Sequence, residues 1–262
     1  MTAPGQRGDP VRLVLVGAAG RMGRAVAEAA GGDTAFRIEA FVDQGAATGP
    51  GRWVPDAGEA IVAGSVVIEF SAPAASVRVA GLCAERGAAL VSGTTGLTGE
   101  QEALVQAAAS RTPVLRAANF SLGVVALRRA VAAALAALPG WDVEIVERHH
   151  RRKADSPSGT ALALARQVLA ARGWGEQALR HGRQGHLGPR PDAEVGVHAL
   201  RGGGLVGDHT VVLAGPGEWL ELRHVAQDRG AFAHGALAAA RFVADAPAGF
   251  YTLEDVVTPP AG

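Results

Sequence analysis

Cysteine is almost missing from this 262-residue chain: Cys83 stands alone. That excludes an internal disulfide and a cysteine-cluster metal site, and it fits a reducing compartment, with the cytoplasm as the expectation. Net charge is missing too, since 25 Lys and Arg balance 25 Asp and Glu. No global field therefore holds nucleic acid or an anionic membrane, and any bound anion must be gripped locally. Although 48% of the residues are hydrophobic, no apolar run approaches the roughly 18 residues that a membrane span needs. Met1–Pro10 reads as a frayed, Gly/Pro-rich tail without the apolar stretch of a signal peptide. Internal repeats, low-complexity tracts and charge blocks are absent as well.

What the chain does have is alternation. Val11–Val16 is a short run of branched apolar residues leading straight into a glycine turn, which predicts a strand buried on both faces of a parallel sheet. Ala-rich Arg21–Ala30 behind it ends at Gly31-Gly32 and predicts a helix with a glycine stop. Strand patterns at Phe36–Val42, Val66–Phe70, Ala88–Val91 and Pro113–Arg116 then alternate with helical ones at Ala74–Arg86 and Gly99–Ser110. The expected fold is α/β, a doubly wound parallel sheet over 11–121. From 122 to 229 the rhythm changes to a long helix, a strand at Asp142–Glu147, and strands at Glu194–Leu200, Val206–Ala214 and Trp219–Val225 joined by short turns. This predicts a second, α+β domain with an antiparallel or mixed sheet, with Arg180–Asp192 as a long mobile loop between its parts. The last segment, 230–262, opens with a small-residue helix, Ala231–Ala244, expected to return to the first domain.

Three groups of residues carry chemistry. Gly17-Ala18-Ala19-Gly20-Arg21-Met22-Gly23 is a variant dinucleotide fingerprint: one glycine for the tight turn, one for close approach of a pyrophosphate, one for helix packing. Asp43, at the end of the next strand, suits a ribose hydroxyl. Gly93-Thr94-Thr95 and Ala118-Asn119-Phe120-Ser121 follow later strands, where open parallel sheets place their functional loops, although plain turn chemistry explains them equally well in isolation. The densest group runs from Glu147 to Thr160, with His149, His150 and Lys153 ahead of a helix expected at Ala161–Ala171. Ser156 reads as its N-cap and Pro157 as its first residue, which leaves the N–H groups of Ser158, Gly159 and Thr160 free to hold an anion. Cations, N–H donors and an acid working near neutral pH suit a small dicarboxylate. The spacing lacks His-Glu-x-x-His and a nearby thiolate, so no metal is expected. A solvated basic loop remains open, and nucleic acid is disfavoured by the overall neutrality.

These motifs, together with EFSAP (Glu69–Pro73), SGTTG (Ser92–Gly96), ERHHRRKADSPSGTA (Glu147–Ala161) and the stretch His198–Leu237, resemble the 4-hydroxy-tetrahydrodipicolinate reductase family in order and spacing from Val11 to Val257. The resemblance implies a Rossmann-type domain, a substrate and tetramerisation domain with a mixed sheet, and a nicotinamide-dependent step of the diaminopimelate route to lysine. Carried over, the proton donor falls on His149 and its partner lysine on Lys153. Substrate contacts fall on His150, Ser158, Gly159 and Thr160, and cofactor contacts on Gly17 to Met22, Asp43, Gly93 to Thr95 and Ala118 to Ser121. A homotetramer is implied, with strands such as Val211–Ala214 expected to leave an edge or face unprotected. The two ligands are expected to sit on different domains that close about hinges near Asn119–Gly123 and Gly230. Gln44 stands where several members carry arginine, and Gly45–Gly51 has no basic residue. NADH is therefore expected over NADPH, with Arg21, Arg24 and Arg52 as the cations that could rescue a 2′-phosphate.

Overall fold

The structure, a computed structural model, describes residues 8–45 and 49–257. Most of the expected N-terminal tail, part of the Gly45–Gly51 stretch and the last residues of the C-terminal segment lie outside them. Two compact units divide the chain: Gly123–Asp228 forms one, and the segments before and after it form the other.

The first unit is built on seven parallel strands. In chain order these are β1 (Val11–Val16), β2 (Phe36–Val42), β3 (Trp53–Val54), β4 (Val66–Glu69), β5 (Ala89–Ser92), β6 (Pro113–Arg116) and, from the far end of the chain, Gly249–Tyr251. The sheet order is Gly249–Tyr251, β6, β5, β4, β1, β2, β3, all pairs parallel. Order therefore reverses between β1 and β4, and the carboxyl ends of those strands mark the crevice where such sheets bind ligands. Strands β4 and β5 are buried at every residue, which is why their sequences run apolar without alternation.

Helices α1 (Arg21–Gly31), α2 (Pro73–Arg86) and α3 (Gly99–Ala107) make the crossovers. Pro73 begins α2, and Gly87 in the left-handed region at φ 70° ends it. Val79 and Cys83 of α2 and Val105 of α3 share one apolar core with Val14, Val67, Leu90 and Val114 of the sheet. The doubly wound expectation is borne out.

The second unit opens with α4 (Leu122–Ala137) and β7 (Asp142–His149), followed by α5 (Gly159–Arg172), β8 (Leu179–His181), β9 (Val195–Arg201), β10 (Gly207–Gly215) and β11 (Glu218–Ala226). Its sheet order is β11, β10, β7, β9, β8, antiparallel on the β10 side and parallel on the β9 side, so the sheet is mixed. Leu127 and Val131 of α4 and Leu164 and Val168 of α5 cover Val143, Ile145, Val197, Val211 and Leu213.

Two expectations need correction. Strand β10 is no edge: it lies between β7 and β11, with Val211 and Leu213 buried, and the outer strand on that side is β11. The Arg180–Asp192 stretch is not a bare loop either. It starts in β8, and Arg183 and Arg190 tie it to Glu144 of β7 at 2.7 and 3.2 Å. Those guanidiniums and His198 outweigh burial and hold the Glu144 carboxyl at about 2. The long-range charge partners of this stretch are invisible in its local composition. In the first unit, α6 (Gly230–Asp245) packs on α1, β4 and β5, and α7 (Leu253–Val257) follows the last strand. Gly235 is required within α6, because a Cβ there would collide with the backbone oxygen of Phe120 at 1.7 Å.

Candidate functional site

In the first unit, the turn after β1 is made for glycine. Gly17 has φ +76°, and a Cβ on it would lie 2.1 Å from the backbone oxygen of Phe70. A Cβ on Gly23 would lie 2.3 Å from the oxygen of Gly17, so the helix can approach the turn only without a side chain there. Gly20 caps α1 with no side-chain hydrogen bond, which leaves first-turn N–H groups and the positive end of the helix for an anion. Asp43, just past β2, accepts from the Ala19 N–H at 3.0 Å through one oxygen and from the Gly45 N–H at 3.0 Å through the other. The acidic residue is thereby fastened to the glycine turn. Beside it opens a cavity of about 460 Å³ whose lining includes Gly17, Gly20, Asp43, Gln44, Asp56 and Arg78. A glycine cradle, a helix N-terminus and a carboxylate bordering one cavity fit the pyrophosphate and adenosine ribose of a dinucleotide.

The other candidate nucleotide residues lie at the ends of β5 and β6. Thr95 and Ala118 are exposed, whereas Thr94 is buried with its hydroxyl engaged by Glu69. The Phe120 ring is buried edge-on against Phe70, with centroids 5.3 Å apart. Any contact from Phe120 to a ligand is left to its backbone. Asn119 Oδ1 accepts from the Ser121 N–H at 2.8 Å, shaping that turn. Arg21 and Arg24 are exposed, and Arg52 is held by the Glu59 carbonyl at 2.8 Å. Arg78 is the cation in the cavity wall, paired with Asp56 at 2.5 Å.

In the second unit, strand alternation puts Glu147 and His149 on one face of β7, the face that α5 covers. Glu147 has no exposed surface. One of its oxygens accepts from the Ser158 N–H at 2.9 Å and from Arg201 at 2.7 Å; the other accepts from Arg201 at 2.8 Å and faces His149 Nδ1 at 2.6 Å. Burial works against its charge, but Arg201, His149 and the Ser158 N–H outweigh it and hold the carboxyl below its ordinary range. With Nδ1 committed to a carboxylate, Nε2 is the His149 nitrogen left to carry a proton to or from a ligand.

The sheet register sets His209 of β10 opposite Glu147, with His224 of β11 next in the row. The His209 ring meets the His149 ring at 5.1 Å and 74°, and its Nε2 lies 3.0 Å from Ser158 Oγ. Burial, and then the neighbouring His149, push His209 down to about 4, so it is a neutral imidazole.

The helix cap differs from expectation. Ser158, not Ser156, is the N-cap of α5: its Oγ accepts from the Ala161 N–H at 3.2 Å, and the helix starts at Gly159. Ser156 is exposed, and the Ser156–Pro157 bond is cis, outside the helix. The Ser158 N–H is thus engaged by Glu147 rather than open to a ligand. Gly159 is exposed and Thr160 half-buried at the first turn, where N–H groups point out of a helix.

The loop between β7 and α5 is laced to the glycine-rich turn after β9. His150 N–H donates to the Leu205 carbonyl at 2.8 Å, Arg151 N–H to that of Gly203 at 3.2 Å, and Gly202 N–H to that of His149 at 3.0 Å. Lys153 Nζ lies 2.9 Å from Asp155, whose carboxyl it holds below the ordinary range. His149, His150, Lys153, Gly159 and Thr160 are therefore gathered by one short segment and one helix start. Arg201 and His209 join them only through strand pairing, and sequence reasoning missed both. Glu147 had a local signal, its place two residues before His149 on a strand.

Two family models match the chain: dihydrodipicolinate reductase, N-terminus, over residues 11–120, and dihydrodipicolinate reductase, C-terminus, over 123–257. The chain is 43% identical to the 4-hydroxy-tetrahydrodipicolinate reductase of Caulobacter vibrioides, covering 95% of this chain and 98% of the other. It is 47% identical to that of Anaeromyxobacter sp., covering 94% and 97%. Among solved structures, the dipicolinate-bound dihydrodipicolinate reductase of Paenisporosarcina sp. TG-14 matches with a TM-score of 0.76 at 23% identity, covering 94% of this chain and 99% of that one.

Proposed function

The chain belongs to the dihydrodipicolinate reductase family, and from that premise we propose that it reduces 4-hydroxy-tetrahydrodipicolinate, by way of dihydrodipicolinate, to tetrahydrodipicolinate in diaminopimelate and lysine biosynthesis. The observation that carries this reading is His149, the last residue of β7, held through Nδ1 by buried Glu147, which also takes the Ser158 N–H at the cap of α5, with His150 and Lys153 in the loop between. When bound, a dihydronicotinamide supplies a hydride to ring C4 of the substrate. The part of this chain's own residues is to place the two carboxylates and to deliver a proton. Lys153, His150 and the N–H groups of Gly159 and Thr160 hold the carboxylates, and Nε2 of His149 gives its proton to the adjacent ring carbon. Dipicolinate, which the Paenisporosarcina relative binds, is a planar dicarboxylate of the kind this arrangement suits.

NADH is the preferred nucleotide in this reading. The Asp43 carboxylate suits a free ribose hydroxyl and repels a 2′-phosphate, and Gln44 beside it offers no charge. Arg52 and Arg78 both have other partners, so NADPH remains the weaker substrate. A homotetramer is supported by β11, an outer strand that presents Trp219 at 72% exposure with Val225 on the same face. Cytoplasmic placement rests on the single, buried Cys83; no helix among the described residues is long and apolar enough to cross a membrane. The test of the function is oxidation of NADH by the purified protein. Oxidation that starts only when 4-hydroxy-tetrahydrodipicolinate is generated in the cuvette is expected, and none in its presence would contradict the reading.

A further inference from the structure

A second carboxylate without exposed surface lies far in sequence from the histidines. Glu69 is the last residue of β4, and its partners are hydroxyls. One oxygen accepts from the Ser71 N–H at 2.8 Å, from Ser71 Oγ at 2.5 Å and from Thr94 Oγ1. The other accepts from Ser76 Oγ at 2.9 Å and from Ser92 Oγ at 3.0 Å. Ser76 lies on α2, Ser92 ends β5, and Ser71 and Thr94 sit in the turns after β4 and β5.

The network continues outward. Ser71 N–H also reaches Thr94 Oγ1 at 2.8 Å, and Arg116 at the end of β6 donates to Ser92 Oγ at 3.2 Å and to the Thr94 carbonyl at 2.8 Å. The Arg116 guanidinium is itself clamped by Glu102 of α3 at 2.5 Å.

A carboxylate buried in this way is costly unless its lone pairs are filled, and an apolar side chain would give the sheet a cheaper interior. What the carboxylate supplies is geometry. It accepts only, so each hydroxyl must turn its hydrogen inward, and two turns from different strands are drawn to one point. The first of those turns faces the nucleotide cavity, since Phe70, Ser71 and Ala72 line it; Gly93–Thr95, the second turn, is joined to it through Thr94 and Ser71. Phe70 packs so closely on the latter that a Cβ on Gly93 would fall within 2.1 Å of its ring.

We propose that Glu69 is a positioning residue for the nucleotide: it sets the spacing of the turns after β4 and β5 without touching the ligand. This rests on reading the first unit as the nicotinamide dinucleotide domain. The test is a fluorescence titration of NADH in the absence of the dicarboxylate, with wild type, Glu69→Gln and Ser76→Ala. Gln keeps the shape but aims two N–H donors at hydroxyls that need an acceptor. Ser76 does not line the cavity, and its loss weakens the same oxygen of Glu69 from behind.

The NADH Kd is expected to rise roughly tenfold in Glu69→Gln, the low end of what loss of an outer partner costs at metal sites, and by a smaller factor, roughly threefold, in Ser76→Ala, which removes one hydrogen bond of the network. The KM for NADH should follow while that for the dicarboxylate stays fixed. Should Glu69→Gln fail to fold, Ser76→Ala carries the test. Variants that melt earlier yet bind NADH as wild type does would reduce Glu69 to a structural role and overturn the proposal. Wild type that binds NADH but does not reduce the dicarboxylate would sink the proposed reaction and leave this inference standing; wild type that binds neither NADH nor NADPH would sink both.

Discussion

Glu147 Oε2 and His149 Nδ1 lie 2.6 Å apart on one face of β7, with Arg201 closing both oxygens of the same carboxylate. The pair fixes which nitrogen of His149 faces outward, as a carboxylate does for the histidine of a catalytic triad. Glu147→Gln keeps the volume and removes the charge. The kcat for dicarboxylate reduction is expected to fall roughly 10²- to 10⁴-fold, the upper figure being the cost of losing the carboxylate behind a triad histidine, while the Kd for NADH is unchanged. Stability should fall by about 3–5 kcal/mol, because Arg201 loses a buried partner. Wild-type kcat in a folded Glu147→Gln protein would contradict the orienting role.

Lys153 is half-buried and carries its charge into the same loop, paired with exposed Asp155. Lys153→Ala should raise the KM for the dicarboxylate by roughly tenfold or more, the scale of one charge-assisted hydrogen bond, and lower kcat as well. Initial-rate kinetics decide this, and an unchanged KM would remove Lys153 from carboxylate binding.

The pH dependence of stability separates His209 from the carboxylates. His209 titrates at about 4 in the folded chain against an ordinary 6.5. Between those values the unfolded chain binds a proton that the folded chain refuses, so stability falls as the pH is lowered from 6.5 toward 4. Glu144 and Glu147 lie below their ordinary 4.5. Their contribution is complete above that value and is lost at lower pH, for Glu144 down to about 2. Thermal unfolding of His209→Asn should therefore show a flatter slope from pH 6.5 down through about 4, and the same slope only well below that, where both states carry the proton. Parallel curves for variant and wild type across the upper window would refute this account of His209.

In the proposed reading, cofactor choice turns on Asp43 and Gln44, both in the wall of the cavity beside the glycine turn. We expect kcat/KM to favour NADH over NADPH by roughly tenfold, about 1.4 kcal/mol. Gln44→Arg should move the ratio toward NADPH. Equal efficiency with the two nucleotides in wild type would point to Arg78, which lines the same cavity, as a phosphate ligand.

Much of this was legible in the sequence where the cause is local. VRLVLV before a glycine turn predicts β1 and α1 because burial and turn chemistry act within a dozen residues. The loop holding His149, His150 and Lys153 was equally plain. The cap of α5 was misplaced by two residues because Ser156 and Ser158 are both good caps by type; the choice is made by Glu147, which takes the Ser158 N–H. Val211–Ala214 reads as an unprotected edge or face because pairing partners are not written in a strand's own residues. Arg201, His209 and Glu69 escaped notice for the same reason. Glu69 opens the EFSAP motif and the other two lie within His198–Leu237, but their roles arise from contacts between strands dozens of residues apart, which the motifs do not show.

The most direct test of the account is the rate of NADH oxidation by wild type and by His149→Gln, each saturated with NADH and the dicarboxylate. A fall in kcat of about 10²-fold or more, with the NADH Kd preserved, is the predicted result for loss of the proton donor. Undiminished turnover in His149→Gln would contradict it and remove His149 from the reaction.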